Sequence, residues 1–219
     1  MTPGRRDHGG GLDAAMARFG GGRADWIDLS TGINPVPYPV TGLTGADWAA
    51  LPDSAAQEAL LSAARSLWRV PPEAAILAAP GASALIALLP LLAAPGRVAI
   101  PAPTYNEHAA AFAARGWHVA TQDSGAVNAQ VIVQPNNPTG AWGDAARLAA
   151  PLCIIDESFC DVAPRRSLVA LAAQPGRIVL KSFGKFWGLA GLRLGFAIGL
   201  PDAIETLTGL LGPWPGNLA

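Results

Sequence analysis

Lysine is scarce in this 219-residue chain: Lys181 and Lys185 are the only two. The second lies in the string Ser182-Phe-Gly-Lys185-Phe-Trp-Gly-Leu-Ala-Gly-Leu-Arg193-Leu-Gly195, directly after an apolar run. The glycines let the backbone turn sharply and approach a ligand closely. A lysine set among Phe183, Phe186 and Trp187 is partly desolvated. Burial disfavours the ammonium form and leaves a neutral nucleophile able to condense with an aldehyde. A surface lysine lying over an aromatic patch is the alternative. Lys181 is the only rival for the chemistry, but it falls within the apolar run 178–181 and precedes the loop.

Three further segments place polar groups where chemistry is done. Leu152-Cys-Ile-Ile-Asp156-Glu157-Ser-Phe159 ends a buried run on an acid, which is costly unless a cation or donors meet it. Asp156 as a cap for the following segment is the other reading. Gln134-Pro-Asn136-Asn137-Pro138-Thr-Gly140 is a turn, because Asn-Pro initiates one and Gly closes it. Pro80-Gly81-Ala82-Ser83 leads into an apolar helix, whose free N–H groups and partial positive charge favour a phosphate. Ser83 can equally be an ordinary cap. The glycines match neither a dinucleotide fingerprint nor a Walker loop.

These groups need a scaffold, and the hydrophobic pattern supplies one. Short apolar runs predict strands at 98–100, 117–121, 130–134, 152–156, 178–181 and 195–198, with helices at 54–69, 83–94, 106–115, 144–149 and 201–211. Asp53 or Ser54 caps the first of these, and Gly116 follows the third where a left-handed residue is expected. Strands that are continuously apolar predict an α/β fold, a mostly parallel sheet covered on both faces. Such sheets bind ligands at the carboxyl ends of their strands, where the residues above fall. Residues 1–40 read as an irregular arm with one extended piece at 26–30. Residues 41–205 read as the main domain, and 206–219 as the start of a further one.

Composition narrows the partners. Apolar residues make up 51% and charged residues 14%, with a net charge of −1, so the chain is globular and lacks the basic surface that nucleic acid requires. Cys153, Cys160, His8, His108 and His118 have no zinc spacing, and buried free thiols and no metal are expected. Arg5 and Arg6 are followed by no apolar segment, as a secretory signal would require, and the longest apolar stretch, 84–94, contains Pro90 and falls short of a membrane span. A cytoplasmic location is expected, with no membrane partner.

The lysine string resembles that of the fold-type I pyridoxal-phosphate enzymes of the class I and II aminotransferase superfamily. The resemblance implies a three-layer αβα domain around a mostly parallel mixed sheet, with pyridoxal 5'-phosphate carried by Lys185. It implies that Ala82, Ser83, Ser182 and Arg193 hold the phosphate, and that Tyr105 in Pro103-Thr-Tyr105 stacks on the ring. Asn137 would donate to the phenolic oxygen, and Asp156 would pair with the ring nitrogen. These elements occur in the family's order along the chain. Phe159 stands where many aminotransferases place a tyrosine.

Two N-terminal strings, His8-Gly9-Gly10 and Asp28-Leu-Ser-Thr-Gly-Ile-Asn34-Pro, resemble the threonine-phosphate decarboxylases of cobalamin biosynthesis. That group converts L-threonine O-3-phosphate to (R)-1-amino-2-propanol phosphate. The substrate implied is therefore a small phosphorylated amino acid, with His8 and Gly9 near its phosphate and Asn34 near its carboxylate. Histidinol-phosphate aminotransferases are the alternative, but Leu51-Pro52-Asp53 replaces their usual Tyr-Pro-Asp. A homodimer is implied as well. The family normally continues past residue 219, so a truncated small domain is expected, with cofactor binding more secure than turnover; an inactive fragment that keeps the cofactor fold is a further alternative.

Overall fold

The computed structural model describes residues 8–121 and 125–213. In the arm, Leu12–Phe19 forms α1, and Gly45–Ala49 beyond it forms a short α2. The extended piece expected at 26–30 is irregular and joins no strand. Asp53 opens α3 (Ser54–Trp68), its Oδ1 accepting from the Ala56 amide at 2.8 Å. Then follow β1 (Ala75–Pro80), α4 (Ala82–Leu88), β2 (Arg97–Ala99), α5 (Asn106–Ala114) and β3 (His118–Ala120). The second half contributes β4 (Ala129–Val133), β5 (Leu152–Asp156), β6 (Arg177–Ser182), β7 (Leu194–Gly199) and α6 (Pro201–Leu211).

The six strands anticipated from apolar runs form within two residues of their expected bounds; β1 is the addition. The helix expected over 83–94 tightens after Leu88 into a 3₁₀ turn, Leu89–Leu92, because Pro90 has no N–H to continue the α ladder. The helix expected over 144–149 is a single 3₁₀ turn, Ala145–Arg147. Beyond it the Ala149 and Ala150 amides donate to Gln130 Oε1 at 2.8 Å and so do not continue a helical ladder.

The strands form one sheet in the order β1-β7-β6-β5-β4-β2-β3. The pairs β2–β3, β2–β4, β4–β5 and β5–β6 are parallel, and β7 runs antiparallel to both β6 and β1. Both faces are covered. Leu152 and Ile154 of β5 join one core with Leu85, Phe112 and Leu207 from α4, α5 and α6. Cys153 and Ile155 of the same strand join a second core with Ala64 and Trp68 of α3. Burial on both sides explains the unbroken apolar runs. The helix α6 crosses residue 205 and seats Ile204 and Leu207 in the first core.

This topology gathers one edge of the sheet. Parallel β4, β5 and β6 end together there, at Val133, Asp156 and Ser182. Because β7 is antiparallel, its start lies at the same edge, with Gly195 opposite Ser182 and Leu194 opposite Pro80. The end of β1 and the start of α4 arrive there too. Segments far apart in sequence thus converge by register alone.

Candidate active site

At that edge a cavity is lined by Lys185, Asp156, Asn137, Tyr105, Ser182 and Arg193, together with Ala82 and Ser83. All eight residues expected to bind the cofactor therefore meet. Wider clefts exist, of about 550 Å³ beside Trp142 and Arg147 and about 590 Å³ beside His8 and Trp26. Neither contains Lys185, Asp156 or Arg193, and the smaller cavity is the one that concentrates chemistry.

Of the two lysines, only Lys185 opens into it. Its ammonium nitrogen lies 5.4 Å from the centroid of the Phe159 ring. Burial lowers its proton affinity; Asp156 opposes that effect and the Arg193 guanidinium reinforces it. Lys181 is 1% exposed and committed elsewhere, its nitrogen 2.6 Å from Glu157 Oε2 and 3.7 Å from Asp161 Oδ1.

Asp156 is 3% exposed, and donors hold it. Oδ1 accepts from the Ser158 amide at 2.9 Å and its hydroxyl at 2.6 Å. Oδ2 lies 2.8 Å from Nε2 of His108, a residue of α5 with no solvent exposure. Burial raises the carboxyl, but the His108 and Ser158 hydrogen bonds outweigh it and hold it below the usual aspartate value. Nδ1 of His108 is buried without a hydrogen-bond partner, so Nε2 is the nitrogen that carries a proton toward Asp156. His108 is a partner of Asp156 that the sequence reading did not single out. The signal was its spacing: three residues after Tyr105, it lies on the same helical face, with ring centroids 6.1 Å apart.

The anion cradle is built from close backbone approach. Gly195 leaves no space for a Cβ, because the Ala82 amide packs against it. At Gly81, with φ +84°, a Cβ would lie 2.5 Å from Arg193 Nη2. Arg193 itself adopts a left-handed conformation, φ 52°, at the end of the 3₁₀ turn Ala190–Leu192. That conformation costs a non-glycine residue on the order of 1 kcal/mol and is tolerated where function needs the side chain aimed. Tyr105 is fixed by a side-chain hydrogen bond to Ser83, and burial raises its phenol.

The N-terminal residues expected near the substrate lie outside this cavity. His8 pairs with Glu107 of α5 at 2.9 Å, and Gly9 packs against the Ser30 carbonyl with no room for a side chain. Asn34 spends both ends of its amide on backbone. Nδ2 donates to the Phe186 carbonyl at 2.9 Å, and Oδ1 accepts from the Val36 amide at 3.0 Å. Leu51 is 69% exposed. Both cysteines are buried and free, with burial pushing the Cys160 thiol up to about 12. Among the described residues there is no cluster suited to a metal ion, and no helix long and apolar enough to cross a membrane.

The family model for aminotransferase class I and II matches residues 24–123 and 120–216. The chain belongs to that family. A threonine-phosphate decarboxylase from Sinorhizobium sp is 41% identical across 94% of this chain, and one from Pseudomonas aeruginosa is 38% identical across 96%. In each case the chain spans 67% of the relative's length. Among solved structures, histidinol-phosphate aminotransferase from Sinorhizobium meliloti in complex with pyridoxal-5'-phosphate superposes with a TM-score of 0.67. It is 20% identical over 80% of this chain and 54% of its own, a likeness of fold.

The family's cofactor is pyridoxal 5'-phosphate, and the residues present fit it. A half-buried amine, a buried carboxylate held ionised by donors and an arginine beside a helix start are the three partners that its aldehyde, ring nitrogen and phosphate require.

Proposed function

We propose that this chain catalyses decarboxylation of L-threonine O-3-phosphate to (R)-1-amino-2-propanol phosphate, the reaction class of its relatives in cobalamin biosynthesis. The cavity joining Lys185, Asp156 and Arg193 at one sheet edge carries this reading. The similarity over almost the whole chain selects the reaction.

Each group has a role that follows from its surroundings. Arg193, Ser182 and the amides opening α4 would hold the cofactor's phosphate dianion, for which a guanidinium fork is suited. The ring wall of Tyr105 orients the cofactor. Asp156 would hold a proton on the ring nitrogen, because His108 and Ser158 keep it charged. When bound, the cofactor supplies a sink for the electron pair left as carbon dioxide departs. Lys185 Nζ would hold the cofactor's aldehyde and, with its affinity for protons reduced by burial, would give one up more readily than a free lysine. Phe159 gives no hydrogen bond beside that amine, which separates the site from aminotransferases that carry tyrosine there. The likeness of the His8-Gly9-Gly10 string to the threonine-phosphate decarboxylases is what supports His8 and Gly9 as contacts for the substrate's phosphate. A homodimer in the cytoplasm is part of the same proposal.

Two measurements test it. Purified chain mixed with pyridoxal 5'-phosphate should gain a visible absorbance band that Lys185→Ala abolishes; a band that survives removes Lys185 from its role. Carbon dioxide release from threonine phosphate, against amino transfer from histidinol phosphate, then decides the reaction. Transfer without release would reassign the chain to the aminotransferase reaction.

A further inference from the structure

The loop that carries Lys185 has little regular structure of its own. Within it, Gly188 N donates to the Lys185 carbonyl at 3.1 Å and Leu189 N to the Phe183 carbonyl at 3.1 Å. Its outer side is covered by residues 34–38. Asn34 N donates to the Lys185 carbonyl at 3.0 Å, Asn34 Nδ2 to the Phe186 carbonyl at 2.9 Å, and Tyr38 N to the Trp187 carbonyl at 2.8 Å. Three consecutive carbonyls of the lysine loop thus receive three donors from one short strap.

The fit is close on both sides. A Cβ at Gly188, where φ is +69°, would stand 2.8 Å from the Asn34 carbonyl oxygen and 2.8 Å from Pro37 Cα. The Tyr38 ring meets the Trp187 indole edge-on at 5.4 Å. Upstream, Gly32 packs on Phe159, where a Cβ would fall 2.8 Å from Cε1, and Phe159 is the ring under the Lys185 amine. Val36 N occupies the acceptor end of the Asn34 amide, which fixes the orientation of its donor end.

We infer that Asn34 is a positioning residue for Lys185, acting through the backbone of the lysine loop by way of the strap 34–38. This rests on Lys185 as the cofactor lysine. It differs from a role at the substrate's carboxylate, because the amide donor is already spent on Phe186. Orienting an attacking amine needs its backbone fixed, since four side-chain torsions already separate Nζ from Cα.

The test uses the full chain with Asn34→Asp, which keeps the acceptor for Val36 N but sets an oxygen against the Phe186 carbonyl. Asn34→Ser is the second variant, used if the first loses its cooperative melt. In cofactor-free protein, deuterium exchange at the Gly188 and Leu189 amides should quicken about five- to tenfold, the scale of one lost hydrogen bond, with the sheet unchanged. The dissociation constant for pyridoxal 5'-phosphate should rise by a similar factor. Unchanged exchange and cofactor affinity, with only the KM for threonine phosphate raised, would overturn the inference in favour of a substrate contact. Failure of wild-type chain to attach the cofactor at Lys185 is a separate result. It would sink the functional reading while leaving the exchange comparison to judge the strap.

Discussion

Lys181 and Lys185 are four residues apart, yet their surroundings oppose each other. Lys181 lies inside β6, within the sheet's second core, where Glu157 meets it at 2.6 Å and Trp68 lies 5.7 Å from its nitrogen. Glu157 in turn accepts from Gln134 Nε2, the Ser167 hydroxyl and the Leu168 amide. The first lysine is therefore part of a saturated charge network that ties β4, β5 and β6 together under the site. Lys185, past the strand end, makes no ion pair among the described residues and has an aromatic ring beneath it. Burial with a partner makes a lysine structural, whereas burial without one leaves an amine ready to react.

The largest expected effect breaks the first half of this contrast. Lys181→Met leaves Glu157 buried without a cation and should cost about 3–5 kcal/mol of stability in chemical denaturation. Lys185→Met should change stability by less than about 1 kcal/mol while eliminating the cofactor band. Equal destabilisation by the two would erase the distinction.

A smaller effect is expected at the carboxylate facing Lys185. His108→Phe removes a buried charge-assisted donor from Asp156 and should cost about 1.5–3 kcal/mol. It also predicts a pH dependence of known sign. The folded-state affinity of Asp156 for protons is depressed below that of a free aspartate. Its stabilisation is therefore complete above the unfolded value, near 3.8, and is lost as pH falls through the lower folded value. In the variant the depression is smaller, so less stability is lost on acidification, and the wild-type advantage in melting temperature should shrink as pH falls from roughly 5 to 3. Coincident acid limbs would mean that Ser158 alone holds the charge.

At the anion cradle, Gly195→Ala should cost about 1–3 kcal/mol, because the new methyl must displace the start of α4. Cofactor affinity should fall with it. An unaffected affinity would show that Arg193 and Ser182 suffice for the phosphate.

Much of this was legible before any coordinates, and the exceptions have physical causes. Strands buried on both faces announce themselves as apolar runs, so β5 was placed to the residue. The strand β1, Ala-Ile-Leu-Ala-Ala-Pro, is hidden because three of its six residues are alanine, which carries little strand preference. The helix α1 was hidden between glycines that punctuate the arm on either side. Lys185, Asp156 and Arg193 could be singled out because each sits in a string of specific neighbours. His108 was passed over as one polar residue in an alanine-rich helix, since its meaning depends on β5 lying beneath it. Asn34 illustrates a further limit: the type of residue was informative, but its partner, 152 positions away, was fixed only by the fold.

The smallest effect sharpens the lysine contrast through pH alone. Lys185 has a folded-state proton affinity below that of a free lysine, and burial is the main cause. Below the folded value both states are protonated, and the native chain bears the cost of a partly desolvated charge. Between the folded value and about 10.5 the unfolded chain binds the extra proton, so stability should rise with pH across that window. Wild-type cofactor-free protein should therefore gain on Lys185→Met between neutrality and about pH 10 in matched denaturant titrations. A constant difference between them across that range would mean that the amine is solvated like any surface lysine, and its claim to reactivity would go with it.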